Sequence, residues 1–343
     1  MLALTTAALA LTSGCSSDTS VGAPPAAPVD WHGFEVAHTF EAGPPGPTDK
    51  ERKAGDTYVA SLAAPGMPGL AAVLDADTHF TFPGMADARG KDAVVKAHDA
   101  LFGAFDGRAF VQTRVFRTDS AHAIEWTMSG TQAREWMGIP ATNKPVVLRG
   151  ITLLWTRDEG SITDVHVLFD VTAAKAQLGA GPKELSSLTP PPVPTGAPQV
   201  YEQAHTTEES TNVAAVHTWL DSLEHNDDVA FLAGATDDVT IDVPERAQPM
   251  RGKDDLKAYF KAMHKAIGEL DTRVDNAWGI GHFVVVDYSI NGEQIGALGV
   301  GGWIPAKSDR VVRMHVIDVV DLQGGKVAHL WRYESPGEIL ITG

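Results

Sequence analysis

The chain contains almost no cysteine, since Cys15 is the only one in 343 residues. A single thiol excludes disulfide bonds within the folded part and any zinc site built from several cysteines. A folded part without thiols also suits an oxidising compartment. Stability must then come from packed apolar cores, and the chain is long enough for two of them.

Basic residues are scarce as well. The chain has 27 Lys and Arg against 44 Asp and Glu, which gives a formal net charge of −17. Nucleic acids and anionic membrane surfaces select basic patches. We therefore predict no nucleic-acid partner and no electrostatic binding to a membrane.

The sequence lacks the short motifs that mark common catalytic sites. It has no HExxH, no Gly-rich phosphate loop and no GxSxG. His315 and Asp318 lie three residues apart on a predicted strand, so their side chains should point to opposite faces of the sheet. This spacing argues against a shared metal ion.

The N-terminus is a short apolar run that ends at the lone cysteine. Residues 1–14 are too few to span a bilayer and are typical of a signal peptide. Small residues directly before Cys15 resemble a bacterial lipobox, which predicts that Cys15 carries a lipid and that residues 15–47 form a tether. We expect an exported protein of the bacterial cell envelope, in the periplasm or on the cell surface, that touches the membrane only through this anchor. The alternative is a plain secretory signal cleaved further along.

The rest of the sequence contains an internal repeat. Arg89-Gly90-Lys91-Asp92 recurs as the four residues from Arg251, at an offset of 162. The hairpin pattern from Lys144 to Asp170 recurs between Asp309 and Ser335. Agreement at so many special positions indicates two copies of one domain. The period is the size of a whole domain, so this is not a solenoid.

Each copy shows the same order of predicted elements. A capping box opens a helix, a second short helix and a strand follow, then a long helix, then a run of antiparallel strands. This order predicts an α+β fold in which helices cover one face of a curved sheet. We place the first domain at residues 48–179, a Pro-rich linker at 180–205 and the second domain at 206–343.

The first copy resembles the SnoaL-like polyketide cyclases of the nuclear transport factor 2-like superfamily. The resemblance rests on the Arg-Gly-Lys-Asp motif, on residues 138–144 (Gly-Ile-Pro-Ala-Thr-Asn-Lys) and on Asp170 followed by Gln177-Leu178-Gly179. It implies a cone-shaped sheet around an apolar cavity, no metal and no organic cofactor. It also implies that Asp170 is the general acid/base of a ring closure. The second copy fits the fold but is degenerate, because Ser335 stands at the place of Asp170.

Strand alternation extends this hypothesis to neighbouring residues. If Asp170 faces the pocket, His166 and Leu168 face it too. His166 could then orient Asp170 or donate to an oxyanion. We predict Asp170 and His166 as catalytic residues, and the ligand-binding residues are Trp126, Leu168, Trp331 and Tyr333.

Each assignment has an alternative. Asp170 could simply cap the following short helix, and His166 could be an ordinary half-buried strand residue. The tryptophans could belong to a core or a rim. Glu125 and Asp287, which the repeat pairs, could be solvated strand positions.

The opposite strand face, with Val165, Val167 and Phe169, is apolar. An exposed apolar sheet face is unfavourable, so we expect the two copies to pack through it as an internal pseudo-dimer. The whole pattern predicts a protein that binds a small apolar molecule in its cone cavities, with Asp170-dependent cyclase- or isomerase-type chemistry as an option. The alternative is a non-catalytic envelope module for ligand binding or protein interaction.

Overall fold

The computed structural model describes residues 47–119, 121–306 and 310–336. The predicted signal peptide, Cys15 and nearly all of the predicted tether lie outside the described residues. No helix within the described ranges is long and apolar enough to cross a membrane.

The first domain begins with a helix fixed by a capping box, in which the Thr48 hydroxyl accepts from the backbone of Glu51 and the Glu51 carboxylate accepts from the backbone of Thr48. Its elements are α1 (Asp49–Ala63), α2 (Leu70–Val73), β1 (Leu74–Thr81), β2 (Ala88–Arg89), α3 (Lys91–Phe102), β3 (Phe105–Arg117), β4 (Ala121–Gln132), β5 (Pro145–Thr156), β6 (Ile162–Phe169) and α4 (Val171–Leu178).

The second domain repeats this order and opens with an equivalent capping box between Thr206 and Glu209. Its elements are α5 (Thr207–Glu224), α6 (Asp228–Ala233), β8 (Ala235–Asp242), β9 (Met250–Arg251), α7 (Gly252–Ala266), β10 (Ile267–Ile280), β11 (Phe283–Gln294), β12 (Val311–Gln323) and β13 (Lys326–Glu334). Strand β7 (Gln199–Glu202) lies between the domains.

The two sheets have the same strand order. The first runs β2-β1-β6-β5-β4-β3-β7 and the second β9-β8-β13-β12-β11-β10. In each, the first strand of the domain pairs in parallel with the last one, and the long strands form an antiparallel meander. The predicted α+β class and the duplication are confirmed, and both sheets are curved and open.

The repeated Arg-Gly-Lys-Asp motif has a backbone explanation. Gly90 and Gly252 adopt φ values of 82° and 73° at the step from a two-residue strand into a helix. A Cβ at either position would meet a backbone oxygen, of Ala76 or of Asp237, at 3.4 Å. Left-handed backbone beside a close neighbour favours glycine.

The Pro-rich linker is more ordered than a tether. Part of it, β7, pairs in parallel with β3 and extends the first sheet by one strand. The Tyr201 ring stacks on Phe116 with centroids 5.3 Å apart. The linker thus contributes to the first domain, while the predicted domain boundaries stay predictions.

The helix-facing side of each sheet carries that domain's core. In the first domain this core is rich in aromatic rings, with Trp126, Phe102 and Phe169 in mutual contact at centroid distances of 5.8 to 6.0 Å. The core of the second domain uses mostly Val, Leu and Ile side chains.

The outer faces of the two sheets pack against each other. One buried cluster contains Phe116, Ile151 and Leu168 from the first domain with Phe283 and Ile317 from the second. The copies therefore associate sheet to sheet, as expected for a pseudo-dimer, but through the opposite face.

The predicted assignment of strand faces is wrong. Val165, Val167 and Phe169 lie in the first core, whereas Leu168 lies in the interdomain cluster. The alternation itself is correct. The error came from using Asp170 as the reference, because Asp170 follows the end of β6 and is the N-cap of α4. A residue beyond the last strand position no longer obeys the strand period.

Candidate functional site

A buried ionic cluster lies on the inner face of the second sheet. Arg332 on β13 is 2 % exposed and Asp318, its cross-strand partner on β12, is fully buried. The guanidinium donates to both carboxylate oxygens of Asp318, from Nε over 3.0 Å and from Nη2 over 2.8 Å. A bidentate pair of this kind fixes the orientation of the guanidinium plane.

Two tyrosines complete the cluster. The Tyr288 hydroxyl donates to Asp318 Oδ2 over 2.8 Å and accepts from Arg332 Nη2 over 2.6 Å. The hydroxyl of Tyr259, on helix α7, accepts from Arg332 Nη1. Burial raises the pKa of Tyr259 to about 12, so this hydroxyl keeps its proton. The Tyr259 hydroxyl therefore accepts a hydrogen bond from Arg332 and still carries a proton that it can donate.

Glu334 lies two residues beyond Arg332 on the same face of β13. Its side chain is half-buried, and within the described part of the chain its Oε2 atom has no hydrogen-bond partner. Burial raises the pKa of Glu334 to about 7, an effect that the positive charge of Arg332 only partly opposes. A carboxyl group that titrates near neutral pH can both take up and release a proton.

A second carboxyl group lies nearby in the loop that follows β8. Glu245 is 4 % exposed and accepts hydrogen bonds from the Val300 backbone and from Trp303 Nε1, each over 2.8 Å. Burial raises the pKa of Glu245, and its negative charge in turn raises the pKa of Glu334. Glu245 therefore holds the 300–303 loop in place and helps raise the pKa of Glu334 towards neutral pH.

The corresponding positions of the first domain are uncharged. The pair Asp318 and Arg332 is replaced by Thr152 and Val167, which face each other across β5 and β6. Trp126 takes the place of Tyr288 and donates from Nε1 to the Thr152 hydroxyl over 2.9 Å. Of the two inner sheet faces, the one in the second copy thus carries the charged cluster.

Asp170 is buried at the junction of the domains. Its Oδ1 atom accepts from the backbone N–H groups of Thr172 and Ala173 over 2.8 and 2.9 Å, which is the geometry of a helix cap. Burial raises the pKa of Asp170 well above its usual range, with further repulsion from Glu245 and Glu334. The alternative capping role is therefore seen, and the catalytic role stays a prediction.

His166 lies in the interdomain interface, away from Asp170's helix cap. Its ring packs on Trp155 at 4.6 Å, and Nδ1 lies 3.9 Å from Asp287 Oδ2. Burial lowers the pKa of His166 to about 4. Asp287 bonds more closely to His315, over 2.5 Å, which confirms that His315 and Asp318 point to opposite faces. His166 is thus a neutral interface residue at physiological pH.

The predicted ligand-binding residues do not form one site. Trp126 lies in the first core, whereas Leu168, Trp331 and Tyr333 meet in the interdomain interface. There the Tyr333 hydroxyl donates to Glu125 over 2.6 Å, and the Arg114 guanidinium lies 3.5 Å from the Trp331 ring centroid. Their roles in binding stay predictions, and Glu125 and Asp287 are buried interface residues.

Sequence reasoning missed Arg332, Asp318 and Glu334. A signal existed, because Asp318 and Arg332 each interrupt a run of apolar and aromatic residues on a strand. Charges on a strand that is otherwise apolar are seldom buried unless paired.

Comparison with known proteins places this geometry in a class. Two curved sheets, each covered on one face by helices, make this a tandem protein with a fold of the nuclear transport factor 2-like type. The SnoaL-like domain model matches residues 56–165 and 216–330, so the chain belongs to the SnoaL-like family.

The solved structures that match parts of this chain are distant in sequence. A protein from Jannaschia sp. CCS1 designated a SnoaL-like polyketide cyclase is 16% identical, and the match covers 39% of this chain and 97% of that one with a TM-score of 0.35. A protein designated a ketosteroid isomerase from Kribbella flavida DSM 17836 is 16% identical, covering 37% and 80% with a TM-score of 0.29. An LEH-like epoxide hydrolase from M. tuberculosis is 17% identical, covering 38% and 88% with a TM-score of 0.31. No curated protein sequence gives a significant match.

Proposed function

We propose that the second domain binds a small, mostly apolar molecule bearing a carbonyl or similar acceptor oxygen, and that Glu334 transfers a proton to or from it. The observation that carries this proposal is a half-buried carboxyl group with a pKa of about 7 and an unpartnered oxygen among the described residues, two positions from a fixed guanidinium.

Each group has a defined part in such a proton transfer. The Glu334 carboxylate takes a proton from the carbon next to the carbonyl, and the electron pair moves onto the carbonyl oxygen. The Tyr259 hydroxyl donates a hydrogen bond to that oxygen, and its bond from Arg332 strengthens it as a donor. Asp318 and Tyr288 bond to Arg332 and to each other but not to the substrate in this scheme, so they act as positioning residues.

Exchange of the α-protons of a small cyclic ketone such as 2-tetralone in D2O tests this scheme by NMR. The protein should accelerate exchange, and the rate should rise with pH through about 7 as the Glu334 carboxylate forms. Glu334→Gln should lower the rate by roughly 10² or more, and Tyr259→Phe by roughly tenfold.

The matched control is Glu208→Gln, an identical change at an exposed position of helix α5. It should leave exchange unchanged. A protein that gives no acceleration, or a Glu334→Gln variant as fast as the wild type, would contradict proton transfer. Native mass spectrometry of the protein from its host would still identify a ligand retained without turnover.

Asp170-dependent chemistry in the first domain is a second candidate. Its support is the buried Asp170 carboxyl, whose Oδ2 atom lacks a hydrogen-bond partner within the described ranges. Asp170→Asn should abolish turnover there while sparing ligand affinity. Loss of exchange in Glu334→Gln alone would assign the activity to the second domain.

We also propose that the protein is exported and anchored by a lipid on Cys15. The support is the apolar run of residues 1–14 and the small residues before Cys15. Mass spectrometry of the mature N-terminus should show a lipid-modified Cys15. An unmodified N-terminus beyond residue 15 would exclude the anchor.

A further inference from the structure

A cleft between the domains has no role in the proton transfer proposed for Glu334. It has a volume of about 320 Å³ and is bounded by the first residues of β5, helix α4, the prolines at 190–192 and residues 242–249 of the second domain. We propose that this cleft binds a small organic carboxylate, held by the Arg149 guanidinium and the Asp170 carboxyl.

Arg149 supplies the positive charge. It is half-buried on β5 and lies 5.7 Å from the Tyr333 ring centroid, yet among the described residues it makes no hydrogen bond or ion pair. The nearby carboxylate of Asp242 is already engaged by His329 over 2.7 Å. Because Asp242 is already bonded to His329, the N–H donors of the Arg149 guanidinium can bind an anion that enters the cleft.

Asp170 supplies a second polar contact in the same cleft. The carboxyl is 5 % exposed, and Oδ1 is fully used by the two N–H groups of helix α4. Within the described chain Oδ2 is buried and has no hydrogen-bond partner. Burial raises the pKa of Asp170 well above its usual range, which favours the protonated form of the carboxyl. With Oδ1 accepting, that proton belongs on Oδ2, where it can be donated to a ligand oxygen.

The other walls are part apolar and part polar. Val147, Leu148, Val243 and the linker prolines supply the apolar part, and Gln177, Thr189, Asp242, Arg246 and Gln248 supply the polar part. The volume is at the small end of ligand pockets, so it fits a compact acid rather than a long chain. The two donors, Arg149 and Asp170, and the apolar part of the lining suit a carboxylate on a small hydrocarbon group.

Calorimetry with benzoate, hexanoate, their neutral amides and benzylamine tests the proposal on the full chain. The carboxylates should bind at least tenfold more tightly than the amides, and benzylamine should not bind. Backbone NMR shifts on benzoate addition should centre on Ala173 and Gln177, which line the cleft. Amides that bind as well as the acids, or tighter binding of benzylamine, would overturn the proposal.

Variants separate the two contacts. Arg149→Gln should weaken benzoate binding at least tenfold, whereas Arg89→Gln, which removes the same charge from an exposed strand outside the cleft, should not. Asp170→Asn should bind benzoate within about threefold of wild type, because an amide N–H can replace the carboxyl proton. Full benzoate affinity in Arg149→Gln would refute the site. If that variant does not fold, the comparison of carboxylates with amides on the wild-type protein still tests the proposal. Exchange of 2-tetralone protons should be unaffected in Arg149→Gln, so failure here and failure of the Glu334 scheme are distinguishable.

Discussion

The titration of Glu334 makes a quantitative prediction about stability. Burial raises its pKa from 4.5 to about 7, so the folded protein holds this proton more tightly than the unfolded chain does. The acid form therefore stabilises the fold below about pH 4.5, and this contribution is lost as the pH rises towards 7. About 1.4 kcal/mol per pKa unit gives an upper limit of about 3 kcal/mol, and partial exposure of the side chain reduces it.

Glu334→Gln removes this titration and keeps the shape of the side chain. The free energy of unfolding of the variant, relative to wild type, should therefore rise by up to about 3 kcal/mol between pH 4 and pH 8. Urea unfolding at a series of pH values measures the difference, with Glu208→Gln as the control for loss of one charge. A carboxyl ¹³C titration of Glu334 should give the same midpoint. Parallel stability curves for wild type and Glu334→Gln, or a titration midpoint near 4.5, would refute the reasoning.

Two further predictions concern neighbouring buried carboxyl groups, and both can be measured by urea unfolding. Arg332→Met should cost about 3–5 kcal/mol because it leaves the Asp318 charge buried and unpaired; adding Asp318→Asn should recover part of the loss, and an equal loss in the double variant would contradict this. Asp170→Ala should cost about 1–2 kcal/mol through loss of the helix cap, and Asp170→Asn clearly less. Equal losses for the two would argue against capping.

The sequence was sufficient for most of the fold. The hairpin predicted from Lys144 to Asp170 contains strands β5 and β6, and the predicted capping box opens α1. Both rest on local rules: strand propensity bounded by a turn, and a capping box. The duplication added long-range information, because the same spacing of turn glycines and helix-capping residues appears twice.

The candidate site was not predictable in the same way. Strand alternation states which residues share a face but not which face is inside, and Asp170 gave the wrong reference. Arg332 and Asp318 are cross-strand partners 14 residues apart, so their pairing depends on the register of the β12–β13 hairpin. The sequence shows two isolated charges, and only the register shows that they neutralise each other.

The interdomain interface shows why the two copies could diverge. An apolar contact between two sheet faces does not define one register, because Val, Ile and Leu side chains can slide past each other. Two buried polar groups restrict it. Glu125 accepts from Tyr333 of the other domain, and at the equivalent strand position Asp287 lies beside His166 of the other domain. Each carboxylate is also held within its own domain, by Arg114 and by His315. A shifted register would leave these groups buried without their partners, at a cost of several kcal/mol. With the outer faces committed to this contact, the two copies differ on their inner faces, where the first has aromatic packing and the second a charged cluster.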